Sequence, residues 1–129
     1  MMRAALLCLC ALPASAQDIP RFADETASAG IAHSFAGEWE FMVGGGAAIF
    51  DCNADGLPDV YLAGGVNAAQ MLVNTSAKGG ALAFTPAPSG AEIDMVSGAY
   101  PINIDDDGIA DLVILRVGEN IIMRGLGNC

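Results

Sequence analysis

Two nine-residue runs constrain this chain more than any other feature. Asp51-Cys52-Asn53-Ala54-Asp55-Gly56-Leu57-Pro58-Asp59 carries oxygen-bearing side chains at its first, third, fifth and ninth positions and glycine at its sixth. The pattern returns in Asn103-Ile104-Asp105-Asp106-Asp107-Gly108-Ile109-Ala110-Asp111, with acid and amide exchanged between positions one and three. One offset of 52 residues relates Asp55 to Asp107 and Asp59 to Asp111, so the unit is duplicated.

The spacing points to cation binding. A hard cation such as calcium takes about 6–8 oxygens at roughly 2.3–2.6 Å, and alternate residues of a tight loop can turn theirs inward. In the first loop Asp51, Asn53, Asp55 and Asp59 would supply side-chain oxygens and Leu57 a backbone carbonyl. In the second, Asn103, Asp105, Asp107 and Asp111 take these roles, with Ile109 giving the carbonyl and Asp106 facing water. Gly56 and Gly108 permit the sharp reversal. Three crowded carboxylates repel one another unless a cation sits among them. The competing reading of one such run is an acidic turn held by side-chain-to-backbone bonds. Two copies in register favour Ca²⁺.

An EF-hand needs a bidentate glutamate at position twelve, where this chain has Leu62 and Ile114. The loops lead directly into Val60-Tyr61-Leu62-Ala63 and Leu112-Val113-Ile114-Leu115, short runs suited to strands. The loops therefore join strands, not helices. Strands are expected over residues 47–50, 60–63, 70–74 and 81–85, then over 95–102, 112–115 and 121–124.

The run Gly44-Gly45-Gly46-Ala47-Ala48-Ile49-Phe50, the first loop and Val60-Tyr61-Leu62 together resemble an FG-GAP (VCBS-type) repeat. Arg21-Phe22-Ala23-Asp24-Glu25-Thr26, Ala29-Gly30-Ile31-Ala32-His33 and the triple glycine resemble, more narrowly, the cartilage acidic protein (ASPIC/UnbV) relatives. The departures are Asn103 for the commoner aspartate and the lack of a C-terminal ASPIC/UnbV segment. The resemblance implies an all-β fold, part of an integrin-α-like β-propeller, with about two four-stranded blades, the second incomplete. Residues 17–43 form a lead-in, 44–90 a first repeat and 91–129 a second without its fourth strand. Propellers typically have about 4–8 blades, so the sequence is expected to be the N-terminal part of a longer protein. Exposed blade faces would then leave Ile49, Tyr61, Leu62, Ile102, Val113 and Ile114 in water.

Residues 1–16 read as a cleaved secretory signal: Met1-Met2-Arg3, an apolar run to Leu12, and the Ala14-Ser15-Ala16 site. Such a leader implies a secreted or periplasmic protein without stable membrane insertion. Its removal leaves four of the five basic residues against all fifteen acids. That balance excludes nucleic acid, which needs clustered Lys and Arg. Cys52 and Cys129 remain in an oxidising compartment. Either they face each other across neighbouring blades, or each pairs with a cysteine outside this sequence.

Phe22, Ile31 and Phe35 are expected to anchor the lead-in against the sheet, and His33 and Trp39 to be packing residues. Gly44-Gly45-Gly46 lacks the Gly-Lys-Ser/Thr of a phosphate loop and suits close backbone packing. No nucleophile–base set is visible. The sequence is thus read as a non-catalytic binding module for an unidentified protein or glycan, with structural calcium. The alternative is part of a carbohydrate-active enzyme whose catalytic residues lie outside this sequence.

Overall fold

The computed structural model describes residues 19–129; the leader expected over residues 1–16 lies outside them. Seven strands form two antiparallel sheets, and among the described residues there is no α-helix. β1 (Ala47–Phe50), β2 (Asp59–Leu62), β3 (Gln70–Asn74) and β4 (Phe84–Pro86) follow one another across the first sheet. β5 (Val96–Ile102), β6 (Asp111–Arg116) and β7 (Ile121–Met123) make the second. A short 3-10 turn, Trp39–Phe41, precedes them.

Each loop joins the first two strands of its sheet, and the duplication extends to strand register. Phe50 pairs with Asp59 and Ala48 with Tyr61; 52 residues later Ile102 pairs with Asp111 and Tyr100 with Val113. The third strands differ by one residue, Val60 meeting Leu72 but Leu112 meeting Met123, because the turn after β6 is tighter. The fourth strand starts later than its sequence suggests. Ala83 donates its amide to Ser76 Oγ at 2.9 Å and its carbonyl accepts from Thr75 at 2.8 Å, so a turn captures residues 81–83 before the ladder starts. Pro86 ends this edge strand, where no partner needs its missing N–H.

The two sheets pack face to face. Ala48, Tyr61 and Met71 lie side by side across the first three strands and meet Ala99, Leu112 and Ile114 of the second sheet in one core cluster. Tyr61 and Ile114, expected on faces left in water, are fully buried because each sheet covers the other. Ile49 and Ile102, on the opposite faces, remain at least half exposed.

Small residues allow the sheets to approach. The Gly46 amide donates to the Ser97 carbonyl at 3.0 Å and the Gly65 amide to the Val96 carbonyl at 2.9 Å. A Cβ at Gly46 would stand 3.1 Å from the Gly98 Cα, so the triple glycine ends in close backbone packing. Gly65 (φ 67°) sits against the Ala36 carbonyl, which a Cβ would strike.

The lead-in docks through its second half. Phe35 packs edge-on against buried Phe41, centroids 5.9 Å apart, and also touches the core. His33 Nε2 lies 2.8 Å from the Ala63 carbonyl oxygen, a packing residue with one polar atom satisfied. Among the described residues Phe22 and Trp39 are not packed: they are 98% and 79% exposed. The chain's grip on the sheets begins near Ala29, whose carbonyl accepts the Phe84 amide, and Phe22 lies upstream of that point.

The Tyr61 hydroxyl donates to the Ala91 carbonyl at 2.8 Å. Burial, reinforced by the Glu92 carboxylate, pushes its phenol up to about 12 from 10.0. The raised value favours the neutral phenol in the fold. Its contribution is therefore complete below pH 10.0 and lost as pH rises towards about 12. Because Ala91 also accepts from the Ile93 amide, Tyr61→Phe should cost only about 1 kcal/mol at neutral pH. Alkaline unfolding of that variant should shift to higher pH; an unchanged alkaline limb in circular dichroism would exclude Tyr61 as its source.

Candidate metal centre

Both loops take one backbone path. Position four has positive φ in each, 60° at Ala54 and 61° at Asp106, and so does the glycine at position six, 83° at Gly56 and 87° at Gly108. Side chains with a Cβ resist this region, so its use twice at the same non-glycine position reflects a constrained loop, not a free turn.

The aspartates at position nine have matching partners. Asp59 is fully buried, and its carboxylate accepts the Cys52 amide at 2.9 Å and the Asn74 amide at 2.8 Å. Asp111, 2% exposed, accepts the Ile104 and Gly125 amides, both at 2.8 Å. Each carboxylate thus ties the second residue of its loop to the end of the third strand. Gly125 can come this close because it has no Cβ, which would strike the Ala110 carbonyl.

Positions one, three and five of the first loop, and positions three and five of the second, gather around the loop's own amides. In the first loop the Asp55 amide points to Asp51 at 3.2 Å and Asn53 at 3.0 Å, the Gly56 amide to Asp51 at 2.8 Å, and the Leu57 amide to Asp55 at 2.8 Å. Asn53 Nδ2 donates to the Asp55 carboxylate at 3.0 Å. In the second loop the Asp107 amide points to Asp105 at 3.3 Å and the Ile109 amide to Asp107 at 2.9 Å. The Asp107 carboxyl is held below its usual range by the Ile109 amide first, and also by Arg124. Asp106 is exposed, as its outward position requires.

These oxygens are hard donors of the type calcium takes. Asp51, Asn53 and Asp55 converge, as do Asp105 and Asp107, while Asp59 and Asp111 are held by strand amides. A carboxylate oxygen that accepts one amide keeps a second lone pair, so by their chemistry Asp51, Asn53 and Asp55 of the first loop and Asp105 and Asp107 of the second are suited to a hard cation.

Among the described residues, the group of acidic, Cys or His side chains whose ligand atoms lie within 4.8 Å of one another is Cys52, Asp59 and Cys129. It is not a metal site. Cys52 and Cys129 form a disulfide, with Cα atoms 5.3 Å apart. Its sulfurs are neither thiolates nor proton donors, so their closeness to Asp59 is packing. The bridge ties the first loop to the end of the second repeat and is compatible with an extracellular location. Among the described residues no helix is long and apolar enough to cross a membrane.

The fold and its two loops define an all-β protein built from duplicated strand–loop–strand units. The family model of the FG-GAP-like repeat matches residues 51–114, from the first residue of the first loop into β6. This match supports a β-propeller-like module. No curated protein and no solved structure matches the chain.

The oxygen spacing gives one role to all four side-chain positions; in the structure the position-nine carboxylates also accept amides from the end of the third strand, which positions one, three and five do not. The signal that could have shown this is the apolar strand starting directly after Asp59 and Asp111, which carries both into the sheet. Arg124 was missed, because its approach to the second loop depends on strand pairing.

Asp59→Ala should cost about 3–5 kcal/mol in urea unfolding, since two buried amides lose a charged acceptor. Asp59→Asn should fall between that variant and wild type. A cost below about 1 kcal/mol would exclude the pinning role. Cys129→Ser should lower stability by about 2–4 kcal/mol, the bridge closing a separation of 77 residues; an unchanged melting temperature would show that the bridge adds nothing.

Proposed function

We propose that this chain is a secreted or periplasmic, calcium-stabilised β-propeller module whose two sheets are blades, and that it acts as a non-catalytic interaction module for a protein or glycan. The observation that carries this reading is the double loop. The same positive φ at positions four and six, the same position-nine pinning and the same capture of loop amides by positions three and five occur twice, in loops that lie within the segment matching the FG-GAP-like repeat.

The metal role is structural. When bound, Ca²⁺ would neutralise the carboxylates of Asp51 and Asp55 in the first loop and of Asp105 and Asp107 in the second. The chain's own residues do the rest. Asp59 and Asp111 hold the loop entrance against the third strand, and Gly56 and Gly108 turn the backbone so that alternate side chains face inward. The Leu57 and Ile109 carbonyls would complete the donor set. Closing each loop fixes the register of the strands that flank it, which makes the ion part of the scaffold that presents the surface.

Calorimetric titration of metal-free protein should show about two calcium sites per chain, as two loops require. Calcium at about a thousandfold above its Kd should stabilise the fold by about 4 kcal/mol for each occupied site. Asp55→Ala should lose much of that gain and melt like wild type in chelator. Absence of calcium uptake by folded protein would reject the reading; loss of a binding activity without any change in melting would reject the structural role.

A further inference from the structure

The two loops differ at one chemical point. In the first, position three is Asn53, and its amide donates to the position-five carboxylate of Asp55 at 3.0 Å. In the second, position three is Asp105, which has no proton to donate and faces another anion, Asp107. The Arg124 guanidinium supplies what is missing: Nη2 lies 2.8 Å from the Asp105 carboxylate and 3.2 Å from that of Asp107.

Arg124 reaches that position because of the fold. It comes directly after β7, and its neighbour Gly125 is anchored by its amide to Asp111 of the same loop at 2.8 Å. The matching anchor in the first repeat is Asn74, so the residue corresponding to Arg124 is Val73, which carries no charge. Among the described residues no ion pair reaches Asp51 or Asp55. The first loop also has an acid at position one, where Asp51 accepts the Asp55 and Gly56 amides; Asn103 has no counterpart to those bonds among the described residues.

We propose that Arg124 is a built-in cation of the second loop that competes with calcium there, so that the two loops bind calcium with different strength. This rests on the calcium reading of the proposed function and names how its two sites are set apart. The first loop takes calcium more tightly because, among the described residues, no cationic side chain neutralises it. The second is partly neutralised already, and calcium entry requires the guanidinium to leave the Asp105–Asp107 pair. A unit positive charge beside a divalent ion, or the pairing that must be broken to admit one, shifts the affinity by about tenfold under exposed, screened conditions.

Calorimetric calcium titration of the full chain, in wild type, Arg124→Gln and a charge-matched control, Lys78→Gln, tests this. Wild type should show two unequal sites, with Asp55→Ala removing the tighter and Asp107→Ala the weaker. Arg124→Gln should tighten the weaker site by about tenfold and leave the other unchanged, while Lys78→Gln, in an exposed turn, should change neither by more than about twofold. In chelator, Arg124→Gln should melt lower than wild type, and calcium should restore it. Two sites of equal affinity, or a weaker site untouched by Arg124→Gln, would overturn the inference and leave the calcium reading standing. No calcium uptake by any of the folded proteins would overturn both.

Discussion

The architecture depends on two buried carboxylates. Asp59 and Asp111 each accept backbone amides from two directions, the second residue of the preceding loop and the end of the third strand. A buried anion is costly unless it is fully hydrogen-bonded, so each of these aspartates is stable only when loop, second strand and third strand are all in place. That condition couples the acidic loop to the sheet behind it. It also fits the return, 52 residues later, of the same positive φ at positions four and six of the loop. In the first repeat the disulfide adds a covalent tether at the same point, because Cys52 provides one of the amides that Asp59 accepts.

Equivalent residues do not have equivalent surroundings. Ala48, Tyr61 and Met71 form a buried row because the second sheet covers them. The matching row in the second sheet is Tyr100, Val113 and Ile122, and there Tyr100 is 62% and Ile122 67% exposed. The chemistry is similar in both rows; the difference is whether a neighbouring sheet lies on that side among the described residues. Glycines set how close the covering sheet can come, with Gly46, just before β1, backbone to backbone with Gly98 of β5.

The same divergence operates inside the loops. Exchange of acid and amide between positions one and three preserves the count of oxygen donors. It changes which of them can donate a proton, and so changes what the loop needs from its surroundings. Asn53 satisfies Asp55 within its own loop, whereas Asp105 and Asp107 take a guanidinium from a strand end. A pattern of oxygen positions treats the two loops as alike; the hydrogen-bond inventory does not.

Local chemistry was readable from the sequence alone. The duplicated spacing marked the loops, the apolar runs after them gave strands instead of helices, and glycine at position six gave the reversal. All the strands except β4 lie within a residue of where the sequence puts them. These properties rest on interactions between residues close in the chain, and the residues themselves encode them. Which face of a strand is covered, whether Cys52 meets Cys129, that Phe22 and Trp39 stand free, and that Arg124 reaches the second loop were decided by tertiary structure. Each of these depends on groups brought together from distant positions, where one residue of turn length or the presence of a neighbouring sheet changes the partner.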